Sequence, residues 1–221
     1  LGSGNDRLFI NANASGQGEM RAFGALDSTI DAGSGDDAVS INASANSNNG
    51  GWWWGGGNDP ATAKGLDNSD VDLGSGNDFI NINANANSNG GWWWGRGGNA
   101  DSVGIDNNSS VNTGAGNDSV FVNSFAAGAA TNAWAIRDSS IDVGSGDDFV
   151  SLNASTFQTQ RRYDPAYGSE NSSIDLGSGN DRLFINANAS GQGEMRAFGA
   201  LDSTIDAGSG DDAVSINASA N

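Results

Sequence analysis

Asp31-Ala32-Gly33-Ser34-Gly35-Asp36-Asp37-Ala38-Val39-Ser40-Ile41-Asn42 is the stretch that decides the fold. It holds a glycine turn, Gly33-Ser34-Gly35, followed by a segment in which apolar Val39 and Ile41 alternate with small polar residues. Glycines at both positions let the backbone enter conformations closed to other residues. Alternation with period two and β-branched side chains marks a strand with one buried face.

The same turn and strand occur seven times, with first glycines at Gly2, Gly33, Gly74, Gly114, Gly144, Gly177 and Gly208. The spacings are 31, 41, 40, 30, 33 and 31, and the first five span 175 residues. Residues 176–221 repeat residues 1–46 identically at that longer period, as in a window on a longer tandem array. The six copies from Gly33 onward also carry a preceding Ser-x-Ile/Val-Asp/Asn segment, such as Ser172-Ser173-Ile174-Asp175, and all seven carry an apolar pair after the turn, such as Ile80/Ile82 or Val150/Leu152. No segment has a convincing 3.6-residue apolar stripe. Periods of 20–50 residues mean a solenoid, propeller or array. One copy cannot bury its apolar face alone, and stacking copies makes a continuous core.

The expected fold is therefore all-β: a right-handed parallel β-helix, or β-solenoid, running unbroken through residues 1–221. Each coil has 30–41 residues and about three short strands. The Asn after each apolar pair (Asn11, Asn42, Asn83, Asn123, Asn153, Asn186, Asn217) either forms a stacked amide ladder or serves as a turn residue at the strand's end.

The turn resembles the nonapeptide of the RTX, or hemolysin-type, calcium-binding family, Gly-Gly-x-Gly-x-Asp-x-apolar-x. Its second, fourth, sixth and eighth positions match in all seven copies, as in Leu73-Gly74-Ser75-Gly76-Asn77-Asp78-Phe79-Ile80-Asn81. The first glycine does not match, and one motif occurs per coil where the family repeats every nine residues. The resemblance covers the turn and its strand only. It implies Ca²⁺ held between successive coils by the carboxylates of Asp6, Asp37, Asp78, Asp118, Asp148, Asp181 and Asp212. It also implies backbone carbonyl ligands from Gly2, Gly4, Gly33, Gly35, Gly74, Gly76, Gly114, Gly116, Gly144, Gly146, Gly177, Gly179, Gly208 and Gly210. A secretion route of the type I kind comes with the same resemblance. A second acidic position, Asp31, Asp72, Asp142, Asp175 and Asp206, lies outside the motif and reads as either an additional ligand or a turn cap. Asp36, Asp147 and Asp211, which alternate with Asn at the fifth position, read as solvent-facing.

Composition bounds the function. A net charge of −18 argues against nucleic-acid binding and against a polybasic membrane contact, and no apolar run is long enough for a membrane-spanning helix. There is no Cys and no His, so thiolate and imidazole metal sites and the commonest general base are all absent. No catalytic constellation is legible and no enzyme is expected. Two inserts carry Trp52, Trp53, Trp54 and Trp92, Trp93, Trp94 between glycines. Such apolar area is expected to be covered, by its own solenoid, by a neighbouring rod or by stacked sugars. The expected role is a Ca²⁺-stabilised extracellular filament, matrix fibre or adhesin stalk that associates with itself. An ice- or glycan-binding module is the alternative, and a Ca²⁺-dependent polysaccharide lyase is a weaker one.

Overall fold

The computed structural model describes residues 1–48, 59–89 and 98–221. The inserts with Trp52–Trp54 and Trp92–Trp94 lie outside the described residues. Every strand pairing is parallel, and equivalent residues of successive coils stand in register: Asn11 pairs with Asn42, then Asn83, Asn123, Asn153, Asn186 and Asn217. The chain is a parallel β-solenoid, with an eleven-stranded sheet, a six-stranded sheet and the stacked turns along one edge.

Each coil contains three strands of unequal length. The first is long, as in Ala38–Asn48 and Phe79–Asn89. The second is a return strand such as Ala61–Asp67 or Asn99–Asp106. The third is a three-residue strand such as Asp70–Asp72 or Ser140–Asp142. In Phe149–Glu170 and Arg182–Leu201 the first two run together, and this joins the two ladders into one large sheet.

The first strand does not stop at its Asn. It continues through Ala-x-Ala, and Ala43, Ala45, Ala84 and Ala86 are buried core. Alanine is a poor strand former on its own, and it fits here because the rod is narrow. A column of small residues on the return strands makes it narrow: Gly24, Gly65, Gly104, Ala135, Gly168 and Gly199. A Cβ at Gly65 would sit 2.2 Å from Cγ2 of Ile82 and 2.5 Å from the Gly104 carbonyl oxygen. The strands thus approach to a distance that larger side chains forbid.

The position where the family motif has its first glycine points into the core. Ala32, Leu73, Thr113, Val143 and Leu176 are fully buried there. In this elongated coil that position belongs to the wall of the rod, so a buried side chain replaces the glycine, apolar except at Thr113, whose hydroxyl donates to the Val143 carbonyl at 3.0 Å.

The Asn side chains form the ladder. Asn42 donates from Nδ2 to Oδ1 of Asn11 at 3.0 Å, and the bond recurs at 2.8–3.2 Å through Asn83, Asn123, Asn153, Asn186 and Asn217. The strand's continuation past Asn settles the choice between ladder and turn residue in favour of the ladder.

Candidate metal centre

The glycine turns stack directly on one another. Ser34 is bridged to Ser75, and the series continues through Ala115, Ser145, Ser178 and Ser209. Gly35 N–H donates to the Ser75 carbonyl at 2.7 Å, and Ser75 N–H donates to the Gly33 carbonyl at 3.2 Å. Both glycines are obligatory. Gly74 has φ +89° and Gly76 φ +142°, and a Cβ at Gly74 would lie 1.9 Å from the carbonyl oxygen of Gly33.

The sixth-position aspartates form a buried column inside this edge. Asp37, Asp78, Asp118, Asp148 and Asp181 are each at most 2% exposed. One carboxylate oxygen of each has a fixed partner in the preceding coil. Asp37 N–H donates to Oδ1 of Asp78 at 2.7 Å, Asp78 N–H to Asp118, Asp118 N–H to Asp148 and Asp148 N–H to Asp181. Asp6 and Asp212 end the column in the same way. The other oxygen has no partner: Oδ2 of Asp6, Asp37, Asp78, Asp118, Asp148 and Asp181 is buried without a hydrogen bond. A buried, uncompensated carboxylate oxygen is costly.

The electrostatics follow. Burial, and then repulsion from Asp118, Asp37 and Asp36, pushes Asp78 up to about 6 although the Asp37 N–H opposes it. Burial, with repulsion from Asp118, Asp181 and Asp147, pushes Asp148 up to about 7 against the Asp118 N–H. Asp118 and Asp181 are raised for the same leading reason. A proton or a cation would relieve every one of these groups.

The donors fit a hard cation. They are oxygens only, the class that suits Ca²⁺ or Mg²⁺. Among the described residues no three carboxylates converge on one point, so carbonyls and water must supply most of any coordination shell. The carbonyls of Gly33, Gly74, Gly114, Gly144 and Gly177 already accept a backbone N–H from the next turn, and each retains a second lone pair. The carbonyls of Gly35 and Gly76 accept no backbone hydrogen bond among the described residues.

The second acidic position sits outside this column. Asp31, Asp72, Asp142, Asp175 and Asp206 are exposed. Oδ1 of Asp142, Asp175 and Asp206 accepts the N–H of the residue two positions on, at 3.0–3.1 Å. That is a turn cap.

Two further columns escaped the sequence reading. The fifth-position side chains are exposed, as expected, but each also caps the next turn. Asn5 Oδ1 accepts Asp36 N–H, Asp36 Oδ1 accepts Asn77 N–H, and the series continues through Asn117, Asp147, Asn180 and Asp211. No two aspartates are adjacent in that column. At the opposite corner, between the return and short strands, a serine column does what the sixth-position aspartates do. Ser28 N–H donates to Ser69 Oγ, Ser69 N–H to Ser109 Oγ, and the pattern runs on through Ser139, Ser172 and Ser203. Several of these hydroxyls, Ser69 and Ser172 among them, also donate to a carbonyl two residues earlier, so both capacities are used. Ser-x-Ile/Val-Asp/Asn ahead of six successive turns was the available signal for this column.

One ion-pair cluster is unrelated to the turns. Asp106, fully buried, receives Arg137 Nε and Nη2 at 2.8 and 2.7 Å and Lys64 Nζ at 2.7 Å. Burial pushes its carboxyl up, but the Arg137 and Lys64 hydrogen bonds and charges outweigh that and hold it below the usual range.

No family model matches the chain, and no curated protein is significantly similar to it.

Proposed function

We propose that the chain is a cation-clamped structural rod, with Ca²⁺ bound along the glycine-turn edge, serving as part of an extracellular filament, matrix fibre or adhesin stalk. One observation carries the reading: a carboxylate oxygen left unpartnered in each of six successive coils, at the one column where no Asn interrupts the aspartates. The serine corner and the fifth-position column are neutral or interrupted solutions to the same stacking problem. The uninterrupted Asp column is therefore explained by a requirement for charge. Asp6, Asp37, Asp78, Asp118, Asp148, Asp181 and Asp212 would hold the cations, with the second-glycine carbonyls completing the shell. Bound Ca²⁺ would neutralise the column and tie coil to coil.

Sites with few carboxylates suit the 10⁻⁴–10⁻³ M affinity range of extracellular calcium modules, and a role outside the cell is proposed on that ground. An identical repeat adds length without adding a unique site, which fits a scaffold better than a catalyst. Equilibrium dialysis against millimolar Ca²⁺ tests the reading. About six ions per chain are expected, one for each orphaned oxygen. A chain that binds none, and melts identically in chelator, would sink it.

A further inference from the structure

The outer face of the long strands differs from the rest of the molecule. From residues 79–87, 119–127 and 149–157, every outward side chain is Asn, Ser, Ala or Phe. No charge lies on this face over three coils of a protein whose net charge is −18. The short-strand face is the opposite, with exposed Asp70, Asp72, Asp142 and Asp175. Two such rods repel through most of their surface and not through this one.

The neutral face is also studded with phenyl rings. Phe79, Phe121 and Phe149 alternate between two outward columns from coil to coil, and Phe184 extends the row onto the next coil, where exposed Arg182 marks the edge of the neutral face; successive centroids are 5.3–5.7 Å apart. Across the Asn ladder from them stand Phe125 and Phe157. Phe79, Phe125, Phe157 and Phe184 are 37–50% exposed, which at roughly 200 Å² per ring leaves about 350 Å² of aromatic surface uncovered. Nothing in β-sheet stability requires phenylalanine here, because the same outward columns hold Ser119, Asn81 and Asn85 in paired coils. An apolar patch of that size on a soluble surface marks a contact site.

We infer that this Phe-studded, uncharged face is where two copies of the chain pair laterally, side chains interdigitating as between stacked sheets. The inference rests on the reading of the chain as a structural rod, and it names the surface through which that rod associates. Four strands about 4.8 Å apart and ten residues long present roughly 600 Å². That approaches the ~800 Å² per partner of an ordinary stable interface, so a micromolar dimer is expected. The remaining hydrogen-bonding capacity of the Asn amides faces the same way and can pair across the contact.

Sedimentation equilibrium of the chain in millimolar Ca²⁺ tests this. The parent should dimerise in the micromolar range. The combined variant Phe79→Ser, Phe121→Asn, Phe125→Asn, Phe157→Ser places at each position a residue that a paired coil already carries there, so the fold and the Ca²⁺ binding are retained. Its association should weaken tenfold or more. A parent that stays monomeric at about 100 μM, or a variant that associates as tightly as the parent, overturns the inference. Because the chain has no cysteine, Ser151→Cys on the Phe face and Ser173→Cys on the acidic face give a second readout. A short bis-maleimide should cross-link the first and not the second, and the reverse result places the contact elsewhere. If the calcium reading alone fails, these outcomes are unchanged while dialysis shows no metal. If the pairing alone fails, metal uptake persists in monomers.

Discussion

Replacing Asp148 by Asn should shift stability in opposite directions with and without calcium. Asp148 is 2% exposed, its Oδ1 accepts the Asp118 N–H at 2.7 Å, and its Oδ2 has no partner. With its carboxyl raised from 3.8 to about 7, ionisation in the metal-free fold costs about 4 kcal/mol at about pH 8. Asn keeps the acceptor for the Asp118 N–H and carries no charge. Its buried amide N–H lacks a partner where Oδ2 stood, which returns roughly 1–3 kcal/mol of that gain. The net expectation in chelator is a stabilisation of roughly 1–3 kcal/mol, or several degrees in Tm for a chain of this size.

In saturating Ca²⁺ the sign reverses. A site filled at a hundred times its Kd contributes about 2.7 kcal/mol, and Asp148 lies between two neighbouring turns. Losing one or two sites removes roughly 3–5 kcal/mol, more than the substitution gains. Thermal melts followed by circular dichroism, in EGTA and in excess Ca²⁺, read both arms. A variant destabilised equally in the two buffers would show that the column is a hydrogen-bonding device and nothing more, and the charge argument would fall.

Further outcomes follow from the same geometry. Metal-free protein should be most stable, as far as these groups are concerned, below about pH 4. Asp78 and Asp148 are raised from 3.8 to about 6 and about 7, so the fold holds protons that the unfolded chain releases. Stability should decline as pH rises through 4–7 and stay low above; Tm measured across that range in EGTA checks it, and Ca²⁺ should abolish the decline. Gly65→Ala should cost about 3 kcal/mol or more in urea unfolding, because its Cβ would meet Ile82 and the Gly104 carbonyl at 2.2 and 2.5 Å. Arg137→Met should cost on the order of 3 kcal/mol by removing two hydrogen bonds from buried Asp106. Asp106 keeps Lys64 as a partner, so Asp106→Asn in the same background should recover part of that loss, and no recovery would rule out an incompletely compensated charge as its cause.

The turn, the apolar pairs and the coil-to-coil register were all legible, because each is a local pattern repeated in phase. Val39/Ile41 above Ile80/Ile82 needs only the spacing and period two. What was not legible depends on what stands opposite a residue once coils stack. The strand beyond Asn42 reads as polar, alanine-rich sequence, and only the closeness imposed by Gly24 and Gly65 turns Ala43 and Ala45 into core. The serine column shows in the sequence only as a repeated residue, because its function appears when Ser69 Oγ meets the N–H of Ser28, 41 residues away in the chain. The Asp106 cluster joins Lys64 and Arg137 from three different coils, and no spacing rule reaches across them.

The glycine-turn edge holds two Asx columns side by side, and their difference is the strongest guide to chemistry in the molecule. In the fifth column an oxygen from each turn accepts the N–H of the next, and the residues run Asn5, Asp36, Asn77, Asn117, Asp147, Asn180, Asp211. Charges there never stand adjacent, although that column is exposed and water would screen them. In the sixth column the hydrogen bond is equivalent and the side chains are buried, where repulsion is screened least; yet every residue is Asp. If stacking were the only requirement, the buried column would be the one to carry Asn. The arrangement is the reverse, and that reversal is what favours the proposal of a cation between the coils over hydrogen bonding alone.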